Sequence, residues 1–439
     1  MFLSKSESKY NRLLIKIFFI VGVLLFKIIL DLYFEVYGPL FEYLGLRYLP
    51  QSDIVRFLVY VLLLLLASIL PLSHKKPSNV FLLFLFLMSY IPITVIFSFD
   101  VTASTYGFLS YTLFMFILSF LDKVKFKSLK IVQKTLSINS FNKLLLTIIG
   151  ICLVILISHY GLKLNVKSYD NIYDVRANFK GLTNGSRVLA FSFGWLANVF
   201  TIILITVSVI KRKWIMVGVA FILQLYLFNL GGNKSIFMLP IFLLFIIFSI
   251  KFFKQYSPLF ILYSLVLMSF GLYFYDFGIN DEFSLASSIF VRRNFFVPAN
   301  LYFRYFEFFE YNPNDFFAKS FPFSMFLESY YENDIPDIIG ETYIAKGTHA
   351  NGNFLADLYY NFKWAGFIIG FVVVSIYFYI VDSLVKNKNY LIIVPIATVP
   401  VITMMNSGLI VNLISFGLLM TIILLALYPA NRFLYEKKD

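Results

Sequence analysis

Charge is what this sequence lacks most. Of its 439 residues only 14% are Asp, Glu, Lys or Arg, while 60% are hydrophobic and the mean hydropathy is +0.81. A soluble domain of this size carries far more polar surface, so that class is excluded. Cysteine is almost absent too. Cys152 is the single one and lies inside an apolar run, which excludes a disulfide framework and a cysteine metal site. Histidine occurs only at His74, His159 and His349, and no acidic cluster with metal-ligand spacing stands out. Neither a metal nor another cofactor is therefore expected.

What the chain does have is apolar runs as long as a bilayer is thick. They lie at about 12–34, 53–72, 80–99, 107–121, 144–162, 187–210, 214–230, 236–252, 259–277, 363–385, 390–406 and 408–428. Hydrocarbon tolerates no unbonded backbone group, and continuous runs of this kind form helices rather than tilted strands of alternating pattern. The expected fold class is an all-α polytopic membrane protein with about twelve transmembrane helices. No small-residue cleavage site follows the first run, so it reads as a retained helix rather than a removed signal peptide.

Basic residues fall on alternate loops. One side receives Lys5, Lys9 and Arg12, then Lys75 and Lys76, then the lysines from Lys123 to Lys134. The same side receives Lys211–Arg212–Lys213, Lys251 and Lys254, Lys386 and Lys388, and finally Arg432, Lys437 and Lys438. The positive-inside rule makes that side cytoplasmic, with both termini on it. The chain then divides into nine spans with short loops (1–277), a long external loop (278–362), and three spans with a cytoplasmic tail (363–439). The net charge of +13 belongs to loops beside an anionic leaflet and not to a nucleic-acid surface. The long external loop runs the other way, with eleven acids against five bases.

Charges inside the first span, Lys16, Lys27 and Asp31, raise a functional hypothesis by default. The simpler reading has Lys16 snorkelling inward and Lys27 paired with Asp31 one turn on. The external segment 35–52, aromatic with two prolines, fits the membrane interface, and the lysine-rich linker 122–143 reads as an amphipathic helix on the inner leaflet. The external loop 163–186, leading into Arg187, is basic where the orientation rule asks for no bases. A guanidinium grips anionic oxygens with two parallel hydrogen bonds, so Arg176 and Arg187 are anion-binding candidates. The alternative pairs Arg176 with Asp170 or Asp174 and uses Arg187 to anchor the sixth span. The turn Gly231–Gly232–Asn233–Lys234–Ser235 reads either as an anion cradle of free N–H groups beside Lys234 or as an ordinary turn.

The one long polar stretch runs from Ser284 to Gly370. It opens with Arg292 and Arg293, followed by Pro298 and a dense aromatic run that suits a helix lying on the outer leaflet or against the bundle. Arg304 follows within that run. These three arginines serve either as ligand cations or as headgroup anchors. Tyr330, Tyr331, Glu332, Asp334, Asp337 and Glu341 offer aromatic faces and carboxylates of the kind that sugar rings use, or simply keep a loop soluble. His349, Asn351, Gly352 and Asn353 gather before the tenth span, and Asp357 and Asn361, spaced i, i+4, share one helix face. Cations, amides and carboxylates gathered outside a membrane bundle are the ingredients of a site for a polar substrate.

Three pieces of this stretch, VRRNFFVPANLYFRYFEFF, NPNDFFAKS and ANGNFLADLYYNFKWAGFIIG, sit in a loop between late spans. Together they resemble bacterial O-antigen (oligosaccharide repeat-unit) polymerases of the Wzy type over 284–370. Elsewhere the likeness is one of topology. Two departures stand out: the glycine expected after Asn361–Phe362 is Lys363 here, and the Arg-x10-Gly spacing of some polymerases occurs nowhere.

The resemblance implies a metal-independent, GT-C-like membrane glycosyltransferase of the bacterial inner membrane, related to O-antigen ligases, with its site on the periplasmic side. It implies transfer of a growing glycan from undecaprenyl diphosphate onto the terminal sugar of a new lipid-linked repeat unit. Its partners would be those undecaprenyl-diphosphate-linked oligosaccharides, membrane lipid and a chain-length regulator protein. Arginines can neutralise a diphosphate leaving group without a metal. The candidates to hold it are Arg176, Arg187, Lys234, Arg292, Arg293 and Arg304, with Asn351 and Asn353. The acceptor hydroxyl needs a positioned base, with His349, Asp357 and Glu341 as candidates. The rival readings are an O-antigen ligase, which needs a lipid A–core acceptor, and a flippase or other transporter of lipid-linked oligosaccharide. No pair of interrupted helices in corresponding halves marks a repeat-built transporter.

Overall fold

The computed structural model describes residues 5–73, 75–121, 135–162, 179, 186–280 and 282–430. Among them there are helices and one isolated bridge between Leu49 and Asp100, but no strand. Eight helices are long and apolar enough to cross a membrane, so the chain is an all-helical polytopic membrane protein. A helix stands at each of the twelve expected runs, and the lower count has simple causes. Thr105–Phe120 and Tyr390–Met404 are shorter apolar helices. Asp53–Ile69 has 17 residues. One continuous helical stretch, Lys234–Asn280, covers two runs. At 1.5 Å per residue it would measure about 70 Å, more than twice the hydrocarbon thickness. Lys254 at φ 46° interrupts it.

In chain order the helices of the first half are α1 (Lys5–Tyr37), α2 (Asp53–Ile69), α3 (Pro77–Phe99), α4 (Thr105–Phe120), α5 (Ile138–Tyr160), α6 (Arg187–Ile210), α7 (Trp214–Gly231), α8 (Lys234–Phe248) and α9 (Ser257–Tyr275). The second half holds α10 (Val297–Tyr311), α11 (Ile335–Tyr343), α12 (Phe354–Phe362), α13 (Trp364–Val385), α14 (Tyr390–Met404) and α15 (Leu418–Leu427). The lysine-rich linker falls largely, and the loop 163–186 almost wholly, outside the described residues.

Packing gathers the chain into two compact units that are not sequential. The first comprises Met1–Phe126, Phe253–Phe378 and Met404–Leu409; the second comprises Lys127–Phe252, Tyr379–Thr403 and Ile410–Asp439. The long external loop therefore belongs whole to the first unit.

In the first unit α3 is the enclosed centre, with 94% of its most apolar window buried. A helix that is apolar all round has no face to give to solvent or lipid, and it is buried for that reason. Pro92 has no N–H to give the carbonyl four residues back. Just before it the helix widens into a π turn, Phe86–Tyr90, where the Ile91 N–H bonds the Phe86 carbonyl. Around α3 pack α1, α2, α4 and α10, and α9 lies along α1. Lys27 is fully buried and pairs with Asp31, whose other oxygen accepts from the Tyr60 hydroxyl at 2.5 Å. Lys16 donates to the Leu70 carbonyl at the end of α2, at 2.6 Å.

The aromatic run lies against the bundle rather than on a leaflet. Phe295, Phe296, Tyr302, Phe303, Phe306 and Phe309 are all buried. In the second unit, Gln224 of α7 donates to the Ala197 carbonyl at 2.9 Å and to Thr201 at 2.6 Å on α6. Lys388 caps the last turn of α15 through the carbonyls of Leu425 and Ala426, both at 2.6 Å, where a cation meets the negative end of the helix.

Candidate functional site

The site region is built on a platform of α10 and α12. Asn353 starts α12 by accepting from the N–H groups of Leu355 at 3.1 Å and Ala356 at 2.9 Å, donors that a helix start otherwise leaves unbonded. It is 1% exposed. The sequence offered Asn353 as a diphosphate ligand, and the structure makes it a helix cap instead. Along α12, Tyr359 stacks on Phe306 of α10 with centroids 3.8 Å apart, and Tyr360 meets Phe309 at 5.1 Å. These contacts hold the two helices as one surface.

Asp357 is likewise inward-facing. It is 7% exposed, and its Oδ2 accepts from the Leu409 N–H at 2.7 Å, at the start of the short helix Leu409–Leu413. A side chain on Gly408 would come within 2.5 Å of its Oδ1, so glycine is what lets the two segments close. Burial pushes the Asp357 carboxyl up to about 6, partly offset by the Leu409 N–H and by Tyr360. Its place beneath the surface makes it a latch and not the external base that the sequence allowed.

Four residues on, Asn361 donates to the Asp357 carbonyl at 2.7 Å and accepts from the Phe317 N–H. That bond helps hold Phe316 and Phe317, which have φ of 52° and 64°, in a conformation that costs non-glycine residues energy. Lys363, where the resemblance led to an expected glycine, sits at φ 51° and ψ −131°. Only glycine adopts that backbone freely. Lys363 is held there by a bond to the Asn312 carbonyl at 3.1 Å and by the rings of Phe309 and Tyr359.

α11 brings the chemistry together. It starts with Pro336 in its first turn, where a missing N–H costs nothing, and carries Asp337 there, where the helix dipole favours an acid. The following loop folds back on it: the Ala350 N–H bonds the Pro336 carbonyl at 2.8 Å. At Gly340 the approach is so close that a Cβ would stand 1.8 Å from the Thr348 carbonyl oxygen. The result is a pair the sequence hid across twelve positions: His349 Nδ1 lies 2.6 Å from Asp337 Oδ1. The His349 side chain is 40% exposed. With Nδ1–H donated to the carboxylate, Nε2 carries the lone pair.

Glu341, one turn after Asp337, accepts from the Gly347 N–H at 3.4 Å and so pins the turn. Asn351 is exposed beside this loop.

Arg304 differs most from expectation. It is fully buried, paired with Asp100 through Nη2 and with Glu307 through Nη1 at 2.6 Å, while Nε donates to Asn300 at 3.2 Å. Glu307 also receives a two-pronged grip from Arg47, both prongs at 3.2 Å, and Arg47 bonds Thr102 at 2.9 Å. Thr102 in turn donates to Asp100. Arg47, Glu307, Arg304, Asp100 and Thr102 thus close a ring, and Arg304 is its buried centre rather than a ligand cation.

Arg292 and Arg293 sit half-buried in a π-helical segment, Ser288–Phe296, a geometry frequent at functional sites. The Arg292 guanidinium lies 4.6 Å from the Phe41 ring centre and donates to the Ser288 hydroxyl. Arg187 and Lys234 belong to the second unit, and Arg176 lies outside the described residues. Arg187 is exposed in the first turn of α6, after the Ser186 cap. Lys234 opens α8, and before it the Gly232 N–H is spent on the Phe228 carbonyl at 2.8 Å, closing α7 in the manner of an ordinary turn.

Sequence reasoning missed Arg47 although a signal was there. It is a base on the external segment 35–52, the same oddity that singled out Arg176. Asp337 was visible only as one loop acid among several. No protein-family model, curated protein or solved structure matches this chain.

Proposed function

We propose that this chain is a metal-independent polysaccharide polymerase of the O-antigen type, a GT-C-like glycosyltransferase with twelve spans in a bacterial inner membrane and its site facing the periplasm. It transfers a growing glycan from undecaprenyl diphosphate to the terminal sugar of a new undecaprenyl-diphosphate-linked repeat unit. The observation that carries the reading is the His349–Asp337 pair, exposed within the stretch that resembles those polymerases. An imidazole fixed through Nδ1 by a carboxylate presents Nε2 as a base and stabilises the imidazolium that forms.

In this reading the acceptor hydroxyl gives its proton to His349 Nε2 as its oxygen bonds the anomeric carbon of the donor. The bond to diphosphate breaks at the same time, and the electron pair leaves with the lipid carrier. Arg292 and Arg293 meet the charge that develops there. Asp337 is a positioning residue that sets the tautomer.

A strain lacking the gene tests the class. Lipid A–core bearing one repeat unit supports a polymerase, unligated polymer points to a ligase, and repeat units left facing the cytoplasm point to a flippase. Returning His349→Gln, which keeps a hydrogen bond but no proton acceptor, should lower transfer by about 10²-fold or more. Asp337→Asn should lower it and move the pH–rate profile. Polymer of normal amount and length from His349→Gln would remove histidine from the mechanism.

A further inference from the structure

A cleft of about 370 Å³ opens between the segment after α1 and the end of α11, lined by Glu42, Gly45, Arg47, Tyr48, Thr342 and Tyr343 among others. Its volume lies in the range of small-molecule sites. Its lining mixes two tyrosine rings with a guanidinium, a carboxylate and a hydroxyl, and its floor is rigid. Arg47, a half-buried side chain, is clamped by both Glu307 oxygens and by Thr102. Glu307 is held from its far side by buried Arg304. At Gly45, with φ +76°, a Cβ would stand 2.7 Å from the Tyr343 carbonyl, so glycine permits the two walls to meet.

Charge decides what such a cleft takes. The ring beneath it holds two arginines, Arg47 and Arg304, and two carboxylates, Glu307 and Asp100, so it carries no net charge. Glu42 on the wall adds a negative one. A diphosphate would gain little here. A neutral or weakly basic polyol gains aromatic faces and hydrogen-bonding groups already in place, so little ordering entropy is lost on binding. Burial pushes the Tyr343 phenol up to about 12, which keeps its hydroxyl neutral and able both to donate and to accept.

α11 carries both features. Asp337, which holds His349, lies at its first turn, and Thr342 and Tyr343 at its last. The two places are about 8 Å apart along the helix axis and on opposite faces. We infer that this cleft is a glycan subsite, holding a sugar of the oligosaccharide a few residues away from the bond being made. The inference rests on the polymerase reading and deepens it.

The test uses the full chain in phospholipid nanodiscs, since detergents with sugar headgroups would compete. The probe is the lipid-free repeat-unit oligosaccharide released by mild acid from the cell's own lipid-linked pool, with inorganic pyrophosphate as the contrasting ligand. Thr342→Trp projects a ring into the cleft from an exposed position. It should weaken oligosaccharide binding at least tenfold and shorten polymer in cells, with pyrophosphate binding unchanged. Glu42→Ala removes only an exposed side chain and should weaken the same binding several-fold, and it carries the test if Thr342→Trp fails to insert. His349→Gln should stop transfer yet bind the oligosaccharide normally. Wild-type binding and polymer length in both cleft variants would overturn the subsite while leaving the polymerase reading intact. Unaltered polymer in the deletion strain would instead remove the polymerase reading, and the subsite with it.

Discussion

Asp357→Asn separates a latch from a base. Burial raises the Asp357 carboxyl from 3.8 to about 6. Each pKa unit is worth about 1.4 kcal/mol, so keeping this carboxylate ionised in the fold at pH 8 costs on the order of 3 kcal/mol. The folded value lies above the unfolded one. The stabilising contribution is therefore complete below about 3.8 and is lost as pH rises through about 6. Asparagine stays neutral at every pH and still offers an oxygen to the Leu409 N–H that Asp357 now holds at 2.7 Å. At pH 8 the variant should be more stable than the native chain by about 1–3 kcal/mol, less than the full cost because a neutral acceptor bonds more weakly. At pH 5, which lies between the two values, the difference should shrink to about half, and it should close only below about 3.8. Thermal unfolding of the full chain in nanodiscs at the two pH values reads this directly, and polymer in complemented cells should be normal. Asp357→Ala should be less stable than Asp357→Asn by about 1–3 kcal/mol at both pH values, since it strands the Leu409 N–H. An Asp357→Asn protein less stable than native at pH 8, or one that inserts normally but makes no polymer, would refute the latch and return this carboxylate to the list of bases.

Gly340→Ala places a methyl where only 1.8 Å separates the ideal Cβ from the Thr348 oxygen. The loop must move off α11, so the His349–Asp337 bond should be lost, stability should drop by about 1–3 kcal/mol, and polymer should fail in a protein that still inserts. Normal polymer from that variant would show that the pair is not needed. For topology, Tyr330→Cys and Asn387→Cys in a Cys152→Ser background should label oppositely, with Tyr330→Cys reached by an impermeant thiol reagent in intact cells. The reverse pattern would invert the orientation.

The helices were legible in the sequence because an apolar run as long as a bilayer is thick has one stable form in lipid. The count was less so, since 16 or 17 residues read as a span on hydropathy yet make a short helix. The candidate site region stood out because a polar stretch is conspicuous in so apolar a chain. The roles within it were not, and the reasons differ from residue to residue. Asn353 precedes an apolar helical run, the ordinary place of a cap, so its role was open to a local reading. Asp357 owes its role to Leu409, and Arg304 to Asp100, 204 positions away, and neither partner is visible from the residue itself.

Arg304 carried one clue all the same. It stands among Tyr302, Phe303, Tyr305 and Phe306, all of them buried. A guanidinium set among aromatic residues on every side of its helix must go into the interior, and a buried cation must be paired. Arg292 stands in more polar company, between Val291 and the run Arg293–Asn294, and it stays half-buried near the surface. The same reasoning therefore divides the three arginines of the stretch. The one most enclosed by aromatics has its charge balanced by carboxylates and holds the platform. The two that come before the aromatic run remain the cations to test against an anionic ligand.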